Sequence, residues 1–264
     1  MPYLLKTPKF QTALLLFLIF LTALIHQASL SLLFRFLAGV GLAIGVDILL
    51  LKIRKIKPFL PSAGIVSACI IGLLLTPNLP FIVSLSAMLF AIVSKHFLRI
   101  DKKHIFNPAA FGLFFASFIF GYGVSWWGVS WQQLKIQNPE SIIFFLILLL
   151  PGYVSCVKMR RFKIVASFLL IYNLYNFIFA RTVTIFDPTV LFFSLLMLPE
   201  PMTTPSNHKS QILFGIFVSL FTLLVSYQSS IFIPDPLIAA LLVGNIVFFK
   251  RKKIGFVLIR NKKV

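Results

Sequence analysis

"KKHIFNPAAFG", residues 102–112, marks the border where a positively charged loop meets a long apolar run. Asn is a strong N-cap and Pro suits the first helical position, where no backbone donor is needed, so Asn107-Pro108 reads as a helix start. The pair also reads as the wall of a binding site. A helix start presents backbone N–H groups and the positive end of the dipole, which suits an anionic or carbonyl-rich ligand. The surrounding chain has to decide between the two.

The apolar run that follows is one of many. The chain is 59% hydrophobic, holds 31 Phe and has a mean hydropathy of +0.99, outside the range of soluble domains. Apolar stretches of roughly 17 to 25 residues can cross a bilayer as helices. Ten are read, near 10–26, 30–51, 61–76, 79–97, 106–124, 141–157, 164–180, 187–199, 211–230 and 236–249. The expected fold is an all-α integral membrane protein, a single polytopic domain over residues 1–264 with no soluble domain. The third, eighth and tenth stretches are short, which predicts broken or re-entrant helices there.

A formal net charge of +19 raises the question of nucleic acid, but the distribution of the charge answers it. Of 25 Lys and Arg, 22 fall in alternate loops, leaving Arg35, Lys135 and Arg181 for the other side. The positive-inside rule then predicts a multi-pass protein of the cytoplasmic membrane with both termini in the cytoplasm, in keeping with an even number of spans. The basic face is a topology signal and a surface for anionic lipid, not for nucleic acid. The first stretch follows Lys6 and Lys9, yet "LIHQASLSL" offers no small-x-small cleavage site, so it is read as a membrane helix.

Polar residues are scarce enough to take one by one. Arg35 and Asp47 share the second stretch, but twelve residues separate them by about 18 Å along a helix, so they do not pair with each other. Arg35 is expected to snorkel outward and Asp47 to meet a basic group near the inner face. Asp187, before Pro188, reads as an N-cap. Pro199-Glu200-Pro201 stops a helix, and Thr203, Thr204 and Ser206 then supply hydroxyls. Glu200 is one of six acidic residues and reads as a loop cap, an ion-pair partner or a functional carboxylate. Cys69 and Cys156 stand alone in apolar segments and read as buried hydrophobes. His26, His96, His104 and His208 form no mid-membrane pair, which argues against haem. "GYGVSWWGVSWQQ" (121–133) holds all three Trp, as an interfacial aromatic belt would. No metal-ligand spacing, P-loop or nucleophile–histidine–acid set appears.

The three helix-breaking features "FNPA", "PEPMTTPS" and Asn245 all fall in the cytoplasmic half of the predicted topology. Irregular backbone in a bilayer is tolerated only where protein or a cavity satisfies it, which points to a site. Ten stretches also invite a division into five and five, with "TPNLP" (76–80) and "PEPMTTPS" (199–206) in matching places, and an odd-numbered repeat would be inverted in the membrane.

Taken together these elements resemble the membrane flavin subunit family shared by the sodium-pumping NADH:quinone oxidoreductase and the Rnf electron transport complex. The family has a Lys ahead of an Asn-Pro-Ala that opens a span, matched by Lys95 and Asn107-Pro108-Ala109. Its Met-Ala-Thr-Asp-Pro-Val-Thr-Ser-Pro-like run is matched in register by residues 197–205, with Glu200 for Asp. Its last span ends in Leu-Ala-Asn, here Val243-Gly244-Asn245. The likeness covers roughly residues 60–250.

The resemblance implies ten spans in two inverted five-helix repeats on a scaffold similar to urea transporters. It also implies flavin bound in the membrane subunit, with electrons carried across or within the bilayer. The matched positions become candidate flavin contacts: Lys95, Asn107, Pro108, Glu200, Thr203, Thr204 and Asn245, with Lys95 balancing the charge of reduced flavin. Two departures stand out. Arg99-Ile100-Asp101-Lys102 replaces the family's glycine-rich turn. The Ser-Gly-Ala-Thr signature for covalent flavin mononucleotide is missing, and residues 121–141 contain no Thr. The expectation is therefore a non-covalent flavin, riboflavin or flavin mononucleotide, in a subunit that needs other subunits of a membrane redox complex to supply and accept electrons. The alternatives are a small-solute channel or transporter on the same scaffold, and a ligand-free membrane anchor for a redox partner.

Overall fold

The computed structural model describes residues 8–27, 30–56, 62–100, 103–130, 140–182, 184, 186–228 and 230–249. Each of the ten apolar stretches holds one helical segment. They are α1 (Pro8–Gln27), α2 (Leu30–Ile53), α3 (Ser62–Leu74), α4 (Phe81–Phe97), α5 (Pro108–Phe120), α6 (Glu140–Met159), α7 (Phe162–Tyr175), α8 (Pro188–Phe192), α9 (His208–Ser226) and α10 (Pro236–Val247). α7 and α8 each continue as a five-residue π-turn, Asn176–Ala180 and Phe193–Met197. A two-stranded antiparallel hairpin, β1 (Arg99–Ile100) and β2 (Lys103–His104), links α4 to α5. Among the described residues three helices are long and apolar enough to cross a membrane: Leu30–Ile53, Phe162–Ala180 and His208–Ser226.

Four helix starts carry an Asx cap. Asn107 accepts from the Ala110 N–H, Asp187 from Thr189, Asn207 from Lys209 and Asp235 from Ile238, at 2.8 to 3.1 Å. In three of them Pro follows the cap directly. At the buried starts of α5 and α10 water does not satisfy the first turn, so a side chain has to. The Asp187 cap is as the sequence predicts.

α5 is shorter than expected. The apolar stretch 106–124 predicts a span of 19 residues, but the helix is 13 residues long and stops at Phe120. Gly121 sits in the left-handed region at φ 72° and turns the chain, after which residues 123–130 fold back into the protein. α3, with 13 residues, and α10, with 12, are short as predicted.

The helices pack in a repeating pattern. α1 lies on α3 and α6 on α8; α2 lies on α4 and α7 on α9; α4 lies on α5 and α9 on α10. α1 also packs against α6, and α5 against α10. The last two run antiparallel. The Asn107 N–H, at the start of α5, donates to Asn245 Oδ1 near the end of α10, and the Val124 N–H, just past α5, donates to the Pro234 carbonyl ahead of α10. One continuous apolar core joins these elements.

Arg35 reaches from α2 to the turn that follows α3. Its Nη1 donates to the Pro77 and Leu79 carbonyls, both at 2.9 Å, and its guanidinium lies over Phe81. Arg161, at the start of α7, likewise donates to the Pro205 carbonyl. Each arginine holds the proline-rich turn that follows a short helix.

Candidate functional site

A cavity of about 90 Å³ lies where the start of α5, the turn after α8, β2, α3 and the ends of α1 and α6 converge. Its walls are mostly apolar, with Thr12, Ser67, His104, Asn107 and Glu200 as the polar members. Pro108 and Ala109 line it beside Asn107, and Pro201 and Met202 beside Glu200. Two motifs some 90 residues apart therefore share one wall.

Asn107 is buried and directed on every side. Its Oδ1 accepts from Ala110 at 3.1 Å, its Nδ2 donates to the Met197 carbonyl at 3.0 Å, and its backbone N–H donates to Asn245 Oδ1 at 2.9 Å. Asn245, with no exposed surface, donates onward from Nδ2 to the Thr203 carbonyl at 3.5 Å. Asn107 thus closes the first turn of α5 and ties α5 to α8 and α10.

Glu200 faces the same cavity. Its Oε1 accepts from His104 Nε2 at 3.0 Å, while its Oε2 is buried without a hydrogen-bond partner. Its backbone carbonyl receives the Thr203 and Thr204 N–H groups and both hydroxyls, Thr204 Oγ1 at 2.6 Å. The two threonines are buried behind Glu200 and line a second cavity of about 80 Å³ with Lys103, Ser206, Asn207 and Ser210.

Lys95 lies elsewhere. Its ammonium donates to Asp47 Oδ2 at 2.6 Å, and His96 Nε2 donates to Asp47 Oδ1 at 2.5 Å. Arg54 donates to His96 Nδ1 at 3.3 Å, which assigns the ring proton to Nε2. Asp47 has no exposed surface, so its charge needs these partners. Asp47 meets a basic group as the sequence predicts, but the group is the lysine proposed for flavin, and Lys95 is not part of the Asn107–Glu200 cavity wall.

Of the seven sequence-derived positions, the structure thus brings Asn107, Pro108 and Glu200 to one cavity. Thr203, Thr204 and Asn245 stand directly behind, and Lys95 is in a separate ion pair. His104 was missed as a site residue. The hairpin between α4 and α5 delivers it, with His104 paired in register to Arg99. Burial, then the neighbouring Arg54 charge, lowers the pKa of the Arg99 guanidinium from its ordinary value. A histidine and a glutamate 96 positions apart give no local signal of pairing.

The Trp residues also depart from expectation. Trp126 and Trp127 are buried rather than set in an interfacial belt, and Trp131 lies outside the described residues. Cys69 and Cys156 are buried as read. Among the described residues no cluster of His, Cys, Asp and Glu could hold a metal ion. No protein-family model and no curated protein sequence matches the chain.

Proposed function

We propose that the chain is a ten-span protein of the cytoplasmic membrane, built as two inverted five-helix repeats, that holds one non-covalent flavin and serves a redox complex as its membrane subunit. The convergence of Asn107, Pro108 and Glu200 on one cavity carries the reading, because these residues come from two of the three motifs behind the resemblance. Support for the repeats comes from the matched helix pairs, the antiparallel α5 and α10, and the two arginines that hold equivalent turns. Support for the membrane sides comes from the basic residues, which gather at the Asn107 end.

The residues suit one edge of a ring ligand: apolar walls, a small polar set at one end and a carboxylate oxygen without a partner. A bound flavin supplies one- and two-electron chemistry that no side chain offers. Asn107 fixes the helix start against it, Glu200 and His104 provide a hydrogen-bonded acid–base pair at the wall, and the aliphatic residues of α3 and α8 exclude water. Donor and acceptor of the electrons are other subunits, since the chain holds no iron–sulfur or nicotinamide motif. Anionic lipid is the expected neighbour of the basic cytoplasmic face.

The test is flavin content of Glu200→Gln and His104→Gln. A hydrogen bond to a charged group contributes about 1.5–3 kcal/mol, so binding weakens by about tenfold or more in each variant. Glu200 is half-buried and His104 buried, so the flavin content of each variant is read beside its unfolding midpoint, and the loss of flavin is expected in protein that stays folded. Parental occupancy in both would remove the assigned site.

One observation favours a second reading. The cavity of about 90 Å³ is well under the ~300–1,000 Å³ of pockets for drug-sized ligands. A small-solute transporter on the same scaffold would need no more room. Flavin retained through purification supports the first reading, and solute flux by flavin-free protein supports the second.

A further inference from the structure

We infer that Trp126 and Trp127 form a built-in plug that closes the outer counterpart of the cavity, so that its occupant enters and leaves only at the cytoplasmic face. The inference rests on the membrane topology proposed above and is independent of what the occupant is.

The cavity lies between the start of one fifth helix, α5, and the end of the short helix α8 from the other half. The inverted repeat provides the same pair at the opposite end, the start of α10 and the end of α3. Among the described residues that space holds Trp126 and Trp127. The Trp126 indole N–H donates to Asp235 Oδ2, the cap of α10, at 2.7 Å. The Trp127 indole N–H donates to the Gly72 carbonyl of α3 at 3.0 Å. Backbone N–H groups of Ser125 and Trp126 both donate to the Leu74 carbonyl, and that of Gly128 to Leu73.

The rings reach further in. Trp126 stands edge-on to Phe192 and Phe193 of α8, and Trp127 edge-on to Phe20 of α1. The two residues are 6% and 2% exposed, unlike belt tryptophans that rest at the headgroups. Trp126 also takes the left-handed backbone conformation at φ 54°, which bulky residues rarely adopt. Such a conformation persists only where the surroundings over-determine it, and here the hydrogen bonds from residues 125–128 to α3 and Asp235 do so. A turn that merely capped α3 would need the backbone donors alone; it would not need two indoles buried toward α1 and α8.

The experiment is side-specific labelling. Ser67, in the cavity wall, becomes Ser67→Cys in a Cys69→Ala, Cys156→Ala background, and a small charged methanethiosulfonate is applied to right-side-out and inverted membrane vesicles. Lys209→Cys, at the exposed start of α9, reports the sidedness. Labelling of Ser67→Cys in inverted vesicles alone is expected, and adding Trp127→Ala is expected to open it to reagent from both sides. Trp126→Phe, which keeps the ring but lacks the donor to Asp235, serves if Trp127→Ala does not fold, and is expected to raise outside labelling at least several-fold. Outside labelling with both indoles present overturns the plug. So does labelling from neither face, or no outside labelling in a folded plug variant. Labelling of Lys209→Cys from outside instead overturns the topology.

Discussion

Asn107 shows how one residue reads differently at two distances. Locally it is an N-cap, and the sequence alone displays that through the Pro that follows. Its other two bonds, to Met197 and Asn245, come from 90 and 138 positions away and leave no local trace. Asn107→Ala removes the cap and leaves buried groups unpaired, at a combined cost of about 2–4 kcal/mol. The expected result is a clearly lowered thermal midpoint in detergent, and Asn107→Asp, which keeps the cap oxygen, should fall between. A parental midpoint for Asn107→Ala would contradict the two side-chain bonds, to Ala110 and Met197. Asp47 behaves similarly. Its need for a basic partner is legible in its position, but the choice of Lys95 and His96 depends on how α2 meets α4. Asp47→Ala breaks a buried pair and should lower stability by about 3–5 kcal/mol, seen as a lower midpoint and, in the extreme, loss of folded protein. Full retention of stability would mean the pair is not formed.

Helix existence was legible because apolar runs and Asx-Pro starts are properties of contiguous residues. Helix length was less so. Hydropathy continues through Gly121, Tyr122 and Val124, yet α5 ends at Phe120 because the left-handed Gly121 turns the chain. The same apolar, aromatic composition suits a lipid interface or a protein interior, so the Trp segment reads as a belt until its hydrogen bonds are seen. Close helix contact is likewise invisible without the partner. A Cβ on Gly112 would collide with the Ala87 carbonyl of α4, the helix against which α5 packs most closely. Gly112→Ala must push α5 from α4, shifting the Asn107 cap at its start. About 1–3 kcal/mol of destabilisation is expected, read as a lower midpoint. A variant as stable as the parent would show that the two helices are not in such close contact.

Across the whole molecule the proposed organising feature is an asymmetry laid over an inverted repeat. Matched helix pairs and matched arginine-held turns come from two halves that share no visible residue repeat, since packing of short apolar helices constrains shape more than identity. One end keeps a cavity with Asn107, Glu200 and His104, while at the other Trp126 and Trp127 pack between the end of α3 and the start of α10. The proposed role follows from the open end alone: one ligand, held near the basic face, in a chain that depends on partners for its electrons. The most direct test is the absorption and fluorescence spectrum of detergent-purified protein before and after acid precipitation. Flavin absorbance that acid releases into the supernatant is the expected result. A colourless protein that stays colourless after incubation with riboflavin and flavin mononucleotide would contradict it.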